Sequence, residues 1–240
     1  MVLVLILALD TSSPSGSIAI LRDEKVIGVV STVTGEVYSS RMFRELEILL
    51  RERALKMEEI ELFAVAAGPG SFTGLRVGLT AVKAWAEVFG KPVAAVSALE
   101  AVALQASSGA SVVVPVLDAR RGQVYFGIYR RGAGKTENHL ALDGEEYVMT
   151  PAEFFEAVTA RVGSAEFTIV TPTTDLFAAL RSQNETAFAG ISVEAASPVL
   201  APMIGQLGFQ QAQRGQLVDA LTLDANYVRR TDAEMHWKES

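Results

Sequence analysis

The order of elements along the chain predicts a two-lobed α/β fold with a mixed sheet in each lobe. Three observations carry that prediction. Residues Leu3 to Leu9 form a continuous aliphatic run, the pattern of a strand buried on both faces. Two more strands follow through short turns and make an antiparallel meander. A helix–strand–helix–strand–helix series comes next, and a shorter version of the same order begins after residue 106.

Each element has a local reason. Asp10 ends the first strand, and Thr11-Ser12-Ser13-Pro14-Ser15-Gly16 turns the chain. Ser17 to Leu21 is the second strand, and Arg22-Asp23-Glu24-Lys25 leads into a third from Val26 to Val33. Residues 37–54 read as a helix with Met42, Leu46, Leu49 and Leu50 on one face. Arg41, Arg44, Glu45, Arg51 and Glu52 mark the other. Leu62 to Ala67 is a buried strand, Gly68 to Phe72 a loop, and Thr73 to Phe89 a helix that Gly90-Lys91-Pro92 stops. Val93 to Val96 is the fifth strand. Ser97 caps a helix to about residue 106, with Glu100 at the capping-box position.

The flexible stretch Ser107-Ser108-Gly109-Ala110 places the lobe boundary, giving lobes 1–106 and 107–240. The second lobe restarts with a strand from Val112 to Leu117, turns at residues 118–122 and returns from Val124 to Tyr129. Residues 138–148 supply a third strand. Thr150-Pro151-Ala152-Glu153 is a helix start with N-cap, proline and capping-box glutamate in place. Phe167 to Val170 is a strand. Ser197-Pro198 opens a last helix to about Gln213, a candidate to pack back on the first lobe. The repetition is one of element order, with no sequence repeat at a fixed period.

Composition removes several chemistries. The chain has no cysteine, so disulfides, thiolate metal sites and cysteine nucleophiles are excluded. Two histidines, His139 and His236, cannot build a histidine-rich metal centre. The net charge of −7 opposes nucleic acid on average, so any RNA role needs a local basic patch or a partner that carries the RNA. The apolar opening is far shorter than the roughly 20 residues of a membrane helix and lacks a basic leader. The expectation is a cytoplasmic protein with no membrane association.

Two sites stand out. Gly68-Pro69-Gly70-Ser71-Phe72-Thr73-Gly74-Leu75-Arg76-Val77-Gly78 runs from a buried strand through a glycine-rich turn into a helix. Its free N–H groups and helix dipole suit an anion. The alternative is a turn that needs positive φ, with Ser71 or Thr73 as cap. Neither a P-loop nor a dinucleotide fingerprint occurs there. Gly74 and Gly78 lie on one stripe, beside Leu75, Leu79 and Val82. Two glycines cost a helix about 1 kcal/mol each, which implies close packing, either inside the lobe or against a partner. Asp10 is the second site: with Thr11 and Ser12 it can hold hydrated Mg²⁺ or face a phosphate, or simply start a turn. Asp118 holds the matching place in the second lobe. Arg120, Arg121, Arg130, Arg131 and Lys135 form a local basic cluster, read as an RNA-contacting hairpin or as a solvated one.

Leu9-Asp10-Thr11-Ser12, the full glycine motif from Ala67 to Gly78, Ser97 to Ala101, Leu117 to Tyr125 and Tyr227-Val228-Arg229-Arg230 together resemble the TsaB (YeaZ) family. The resemblance is dense in the first half and sparse in the second. It implies an ASKHA (actin-like, RNase H-like) fold. It also implies a non-catalytic subunit that binds and activates TsaD together with TsaE, or forms a homodimer when alone. That machinery moves threonylcarbamoyl to the adenosine beside the anticodon of tRNAs reading codons that begin with A. The tRNA would be met through the complex, and ATP and Mg²⁺ would act at the level of the complex, with no intrinsic cofactor. The catalytic relative carries a His-x-x-x-His pair on its first long helix; Val37 to Phe43 here has none. The family usually has His-Ser where this chain has Tyr38-Ser39.

From the strand end and the glycine loop, the nucleotide or phosphate candidates are Asp10, Thr11, Ser12, Gly68, Gly70 and Ser71; the resemblance adds a pairing surface on the first two helices. The partner-facing candidates are Tyr38, Ser39, Met42, Leu46, Thr73, Gly74, Leu75, Arg76, Gly78, Leu79 and Val82. A bulky residue at Gly78 is expected to abolish TsaD binding and leave the fold intact. The competing functions are an ATP-dependent small-molecule phosphotransferase of the same fold and a glycoprotease-like metallopeptidase, the latter opposed by the lack of histidine pairs.

Overall fold

The computed structural model describes residues 3–31, 38–132, 140–173, 175 and 191–229, with the backbone alone at 38–40. Two compact units divide the chain. The first comprises residues 1–101 and 197–225, and the second residues 102–196 and 226–240. The division thus falls at 101/102, and a C-terminal segment returns to the first unit.

The first unit contains β1 (Leu5–Asp10), β2 (Ser17–Arg22), β3 (Lys25–Ser31), α1 (Tyr38–Glu52), β4 (Leu62–Gly68), α2 (Phe72–Phe89) and β5 (Val93–Ser97), with the short α3 (Ala98–Ala103) following. The spatial order is β3-β2-β1-β4-β5. β1, β2 and β3 pair antiparallel, while β4 pairs in parallel with both β1 and β5. β1 and β4 are buried along their whole length, because the sheet is covered on both faces. Leu5, Leu7 and Leu9 pack with Met42, Leu46, Leu75, Leu79 and Val82 from α1 and α2. The opposite face meets the last helix, Ala201–Gln213, labelled α5 once α4 of the second unit is counted. Gly205 and Gly208 bring that helix close: a Cβ at Gly205 would stand 2.1 Å from Leu21, and one at Gly208 would stand 2.8 Å from Ala64. After α5, Val218 pairs antiparallel with Val93 at the outer edge of β5.

The second unit contains β6 (Val112–Arg120), β7 (Gln123–Phe126), β8 (Tyr129–Arg131), β9 (Leu140–Leu142), β10 (Tyr147–Met149), α4 (Pro151–Val162), β11 (Phe167–Thr171) and β12 (Ser192–Ala195). Its main path is β10-β7-β6-β11-β12, with β8 beside β6 and β9 beside β8. Again three strands run antiparallel and two more add in parallel. Both units therefore place their strands third-second-first-fourth-fifth, the RNase H-like arrangement of the ASKHA fold. The core of this unit joins Val112, Val114 and Val116 to Phe126, Phe154, Val158 and Ile169. Phe126 and Phe154 meet edge to face at 4.9 Å.

Three expectations need correction. The last helix begins at Ala201, not at Ser197. The Ser197 hydroxyl accepts the Val199 N–H at 3.1 Å in a local turn, and Pro202 is the proline near the helix start. Arg41 and Glu45 are buried, although their spacing on α1 suggested the solvent side; they form an i,i+4 ion pair at 3.7 Å. The segment 138–148 yields two short strands rather than one, and only β10 lies beside β7. Lys135, His139, His236 and the side chains of Tyr38 and Ser39 lie outside the described residues. Among the described residues, no helix is long and apolar enough to cross a membrane, and no three potential metal ligands gather.

Candidate functional site

The end of β1 and the start of α2 form one packed assembly. Ser71 caps α2: its hydroxyl accepts the Gly74 N–H at 3.3 Å, and Gly90 ends the helix in the left-handed region at φ 61°. Gly68 turns the chain out of β4 at φ 129°, a conformation that glycine alone takes without cost. The glycines that follow lie against the Thr11-Ser12 backbone. A Cβ at Gly70 would meet Ser12 at 2.6 Å. At Gly74 it would stand 2.0 Å from the Thr11 carbonyl oxygen, and at Gly78 2.3 Å from Thr11 Oγ1. Hydrogen bonds close the contact. The Thr11 hydroxyl donates to the Gly74 carbonyl at 2.7 Å, and the Ser71 N–H donates to the Ser12 carbonyl at 2.8 Å.

The small-residue stripe on α2 is therefore occupied from within the unit. The expectation that a bulky residue at Gly78 would spare the fold is corrected, since the added atoms would collide with Thr11. Two of the loop's N–H groups are bonded within the chain, that of Ser71 to the Ser12 carbonyl and that of Gly74 to the Ser71 hydroxyl.

Asp10 sits beneath this seal, fully buried. Its Oδ1 accepts the Ser12 N–H at 2.8 Å and the Ser12 hydroxyl at 2.6 Å. Oδ2 has no hydrogen-bond partner among the described residues. Burial pushes the carboxyl above its ordinary value, against the lowering effect of the hydrogen bonds from Ser12.

Of the partner-facing candidates, Met42, Leu46, Leu75, Leu79 and Val82 belong to the core of the unit, which corrects their assignment to a surface. Gly78 is buried and Gly74 half-buried, while Thr73 and Arg76 are exposed. The exposed stripe on α2 runs Phe72, Arg76, Thr80, Ala84 and Val88 at intervals of four, with Val88 75% exposed. The Arg76 guanidinium lies 3.8 Å from the centre of the Phe72 ring. From α1, Phe43 is 58% exposed and meets Trp85 edge-on at 6.2 Å. Sequence periodicity had separated core from surface on α1 by charge, so the outward Phe43 and the inward Arg41 were both missed. The one available signal was the i,i+4 spacing of Arg41 and Glu45.

The second unit spends most of its basic cluster internally. Arg130 pairs with Asp143 at 2.6 Å, Arg120 with Asp118 at 3.3 Å, and the Arg131 guanidinium donates to the Ser108 and Ala110 carbonyls. Asp118 Oδ1 accepts the Arg120 N–H at 2.7 Å, the hairpin-turn role rather than that of a ligand-holding carboxylate.

Comparison with known proteins adds to this geometry. The family model described as "TsaD: tRNA N6-adenosine threonylcarbamoyltransferase" matches residues 17–218. The tRNA threonylcarbamoyladenosine biosynthesis protein TsaB of Bacillus subtilis (strain 168) is 38% identical over 132 residues, 55% of this chain and 58% of that protein. The protein of the same name from Escherichia coli (strain K12) is 32% identical over 128 residues, 52% of this chain and 55% of that protein. The match thus spans little more than half the length of these relatives. The solved structure of YeaZ from Pseudomonas aeruginosa is similar over 93% of this chain and 99% of that chain, with a TM-score of 0.75 and 26% identity.

Proposed function

We propose the following function for a chain that belongs to the family of the TsaD model and, by its relatives, to TsaB (YeaZ): it is a non-catalytic partner subunit in threonylcarbamoyl transfer to tRNA. It binds and activates TsaD together with TsaE, in the cytoplasm, and pairs with itself when alone. Transfer goes to the adenosine beside the anticodon in tRNAs that read codons beginning with A. The tRNA is handled by the complex. ATP and Mg²⁺ enter at that level too, and this chain holds no cofactor of its own.

The observation that carries the reading is the exposed α1–α2 face: Phe43, Phe72, Ala84 and Val88 stand outward while the glycine stripe and the leucines behind it are committed to the core. Apolar side chains on a surface helix, spaced at one turn and flanked by polar ones, suit a helical partner. The surface is separate from the core, so it can be altered without unfolding the unit. The test is reconstitution with the other components and tRNA, reading modified adenosine. Ala84→Arg with Val88→Glu is expected to lower TsaD pull-down and modification at least about tenfold, while stability stays within about 0.5 kcal/mol. A variant as active as the wild type, or modification by the isolated chain, overturns the reading.

The phosphotransferase alternative retains one supporting observation, the buried and unpartnered Asp10 Oδ2. ATP turnover by the purified chain is its test.

A further inference from the structure

Three aromatic side chains of the first unit run in series from its core to its surface. Phe63 lies in β4, shut from water. The Trp85 ring on α2 packs over it, with ring centres 6.0 Å apart and planes tilted by 36°. Phe43 on α1 then meets Trp85 edge to face, at 6.2 Å and 89°. Exposure climbs along the series: Trp85 is half-buried and Phe43 mostly exposed.

A single exposed apolar residue needs no explanation, but Phe43 is both exposed and held. Its helix turns Met42 and Leu46 to the core and leaves Phe43 outside. The edge-to-face contact with Trp85, which Phe63 braces from β4, sets the direction of the ring before any partner arrives. A side chain fixed in advance loses little freedom on binding. Val88, one turn beyond Trp85, adds apolar surface, while Arg44 beside Phe43 and Glu47 one turn on are exposed. A rigid aromatic among polar neighbours has the make-up of an interface hot spot. Phe72, the other exposed phenylalanine of this face, instead carries the Arg76 guanidinium 3.8 Å from its ring centre.

We propose that Phe43 is the anchor of the α1–α2 face: it inserts into an apolar hole between helices of the partner subunit, and Trp85 is the positioning residue that aims it. A ring projecting from a helix gains buried area where the side chains of a facing helix part around it. The TsaD family model spans α1 and α2 of this chain, so a helix pair is what that partner has to offer. The inference rests on the proposed pairing with TsaD.

The test measures the affinity of the full chain for purified TsaD by calorimetry, with urea unfolding as the check on each variant. Phe43→Ala is expected to weaken binding at least about tenfold near the wild-type unfolding midpoint, because the ring it removes stands mostly in water. Phe43→Tyr, whose hydroxyl would enter the hole, is expected to lose nearly as much; unchanged affinity would put the tip of the ring in solvent and overturn the insertion. Trp85→Leu is expected to weaken binding about fivefold, Trp85→Phe to restore most of the loss, and Trp85→Leu to cost nothing further in the Phe43→Ala background. Losses that simply add in the double variant would leave Trp85 a purely structural part and overturn its role. Wild-type affinity in Phe43→Ala overturns the anchor. If Ala84→Arg with Val88→Glu still abolishes binding in that event, the face keeps its partner and only the anchor is lost. If none of these variants alters binding, the reading of the face falls too.

Discussion

The two sheets share one strand order, yet the carboxylates at the ends of their first strands live in opposite surroundings. In the first unit, β1 ends at Asp10, which a six-residue turn and the glycine-lined start of α2 seal from water. In the second, β6 passes directly into a tight hairpin, and the Asp118 side chain stays 31% exposed, paired with Arg120. Topology places both residues; what packs on top decides their chemistry. Covered, a carboxylate is driven toward its neutral form and holds a turn together. Uncovered, it caps its own hairpin turn and pairs with the neighbouring guanidinium.

The largest test of that contrast is removal of the seal. Gly74→Val would push a side chain into the Thr11 carbonyl, where even a Cβ stands at 2.0 Å. The first unit should lose about 3 kcal/mol, measured by urea unfolding, and an unchanged midpoint would break the account of the glycine stripe. A smaller effect sharpens the Asp10 side. Its folded carboxyl is raised by burial, so the native state holds the proton more tightly than the unfolded chain does. That contribution to stability is complete below the unfolded value and declines as pH climbs through the raised folded one. Asp10→Asn keeps the acceptor oxygen for Ser12 and cannot ionise. Its melting temperature should gain on the wild type as pH rises from about 4 to 8; a constant difference across that span contradicts the buried charge. The smallest effect belongs to the other carboxylate. Asp118→Asn still accepts the Arg120 N–H, and its stability, measured by urea unfolding, should stay within about 0.5 kcal/mol of the wild type.

Much of the fold was legible because its signals are local. The aliphatic run of β1, the Ser71 cap and Gly90 stop of α2, and the Thr150-Pro151-Glu153 start of α4 all act within one turn of chain, and each appears in the structure. The capping box of α4 closes with Thr150 and Glu153 bonded in both directions. What escaped depends on residues distant in sequence. The glycine spacing on α2 announced a close approach, but nothing in residues 68–78 says that the approaching group is Thr11, 63 residues from its partner Gly74. Charge was a poor guide on α1, where Arg41 and Glu45 go inside as a pair and Phe43 stays outside. The start of α5 was misplaced because two prolines, Pro198 and Pro202, each make an acceptable opening, and only packing chooses between them.

The return of residues 197–225 to the first unit sets a schedule for synthesis. The helix that roofs one face of the first sheet and the Val218 bridge that closes its β5 edge leave the ribosome after residues 102–196 of the second unit. Until then the nascent sheet presents bare aliphatic side chains and an open strand edge, the two features that recruit chaperones or neighbouring chains. A stop codon anywhere ahead of α5 would leave that state permanent, so the early half of the gene cannot yield a well-behaved fragment by itself.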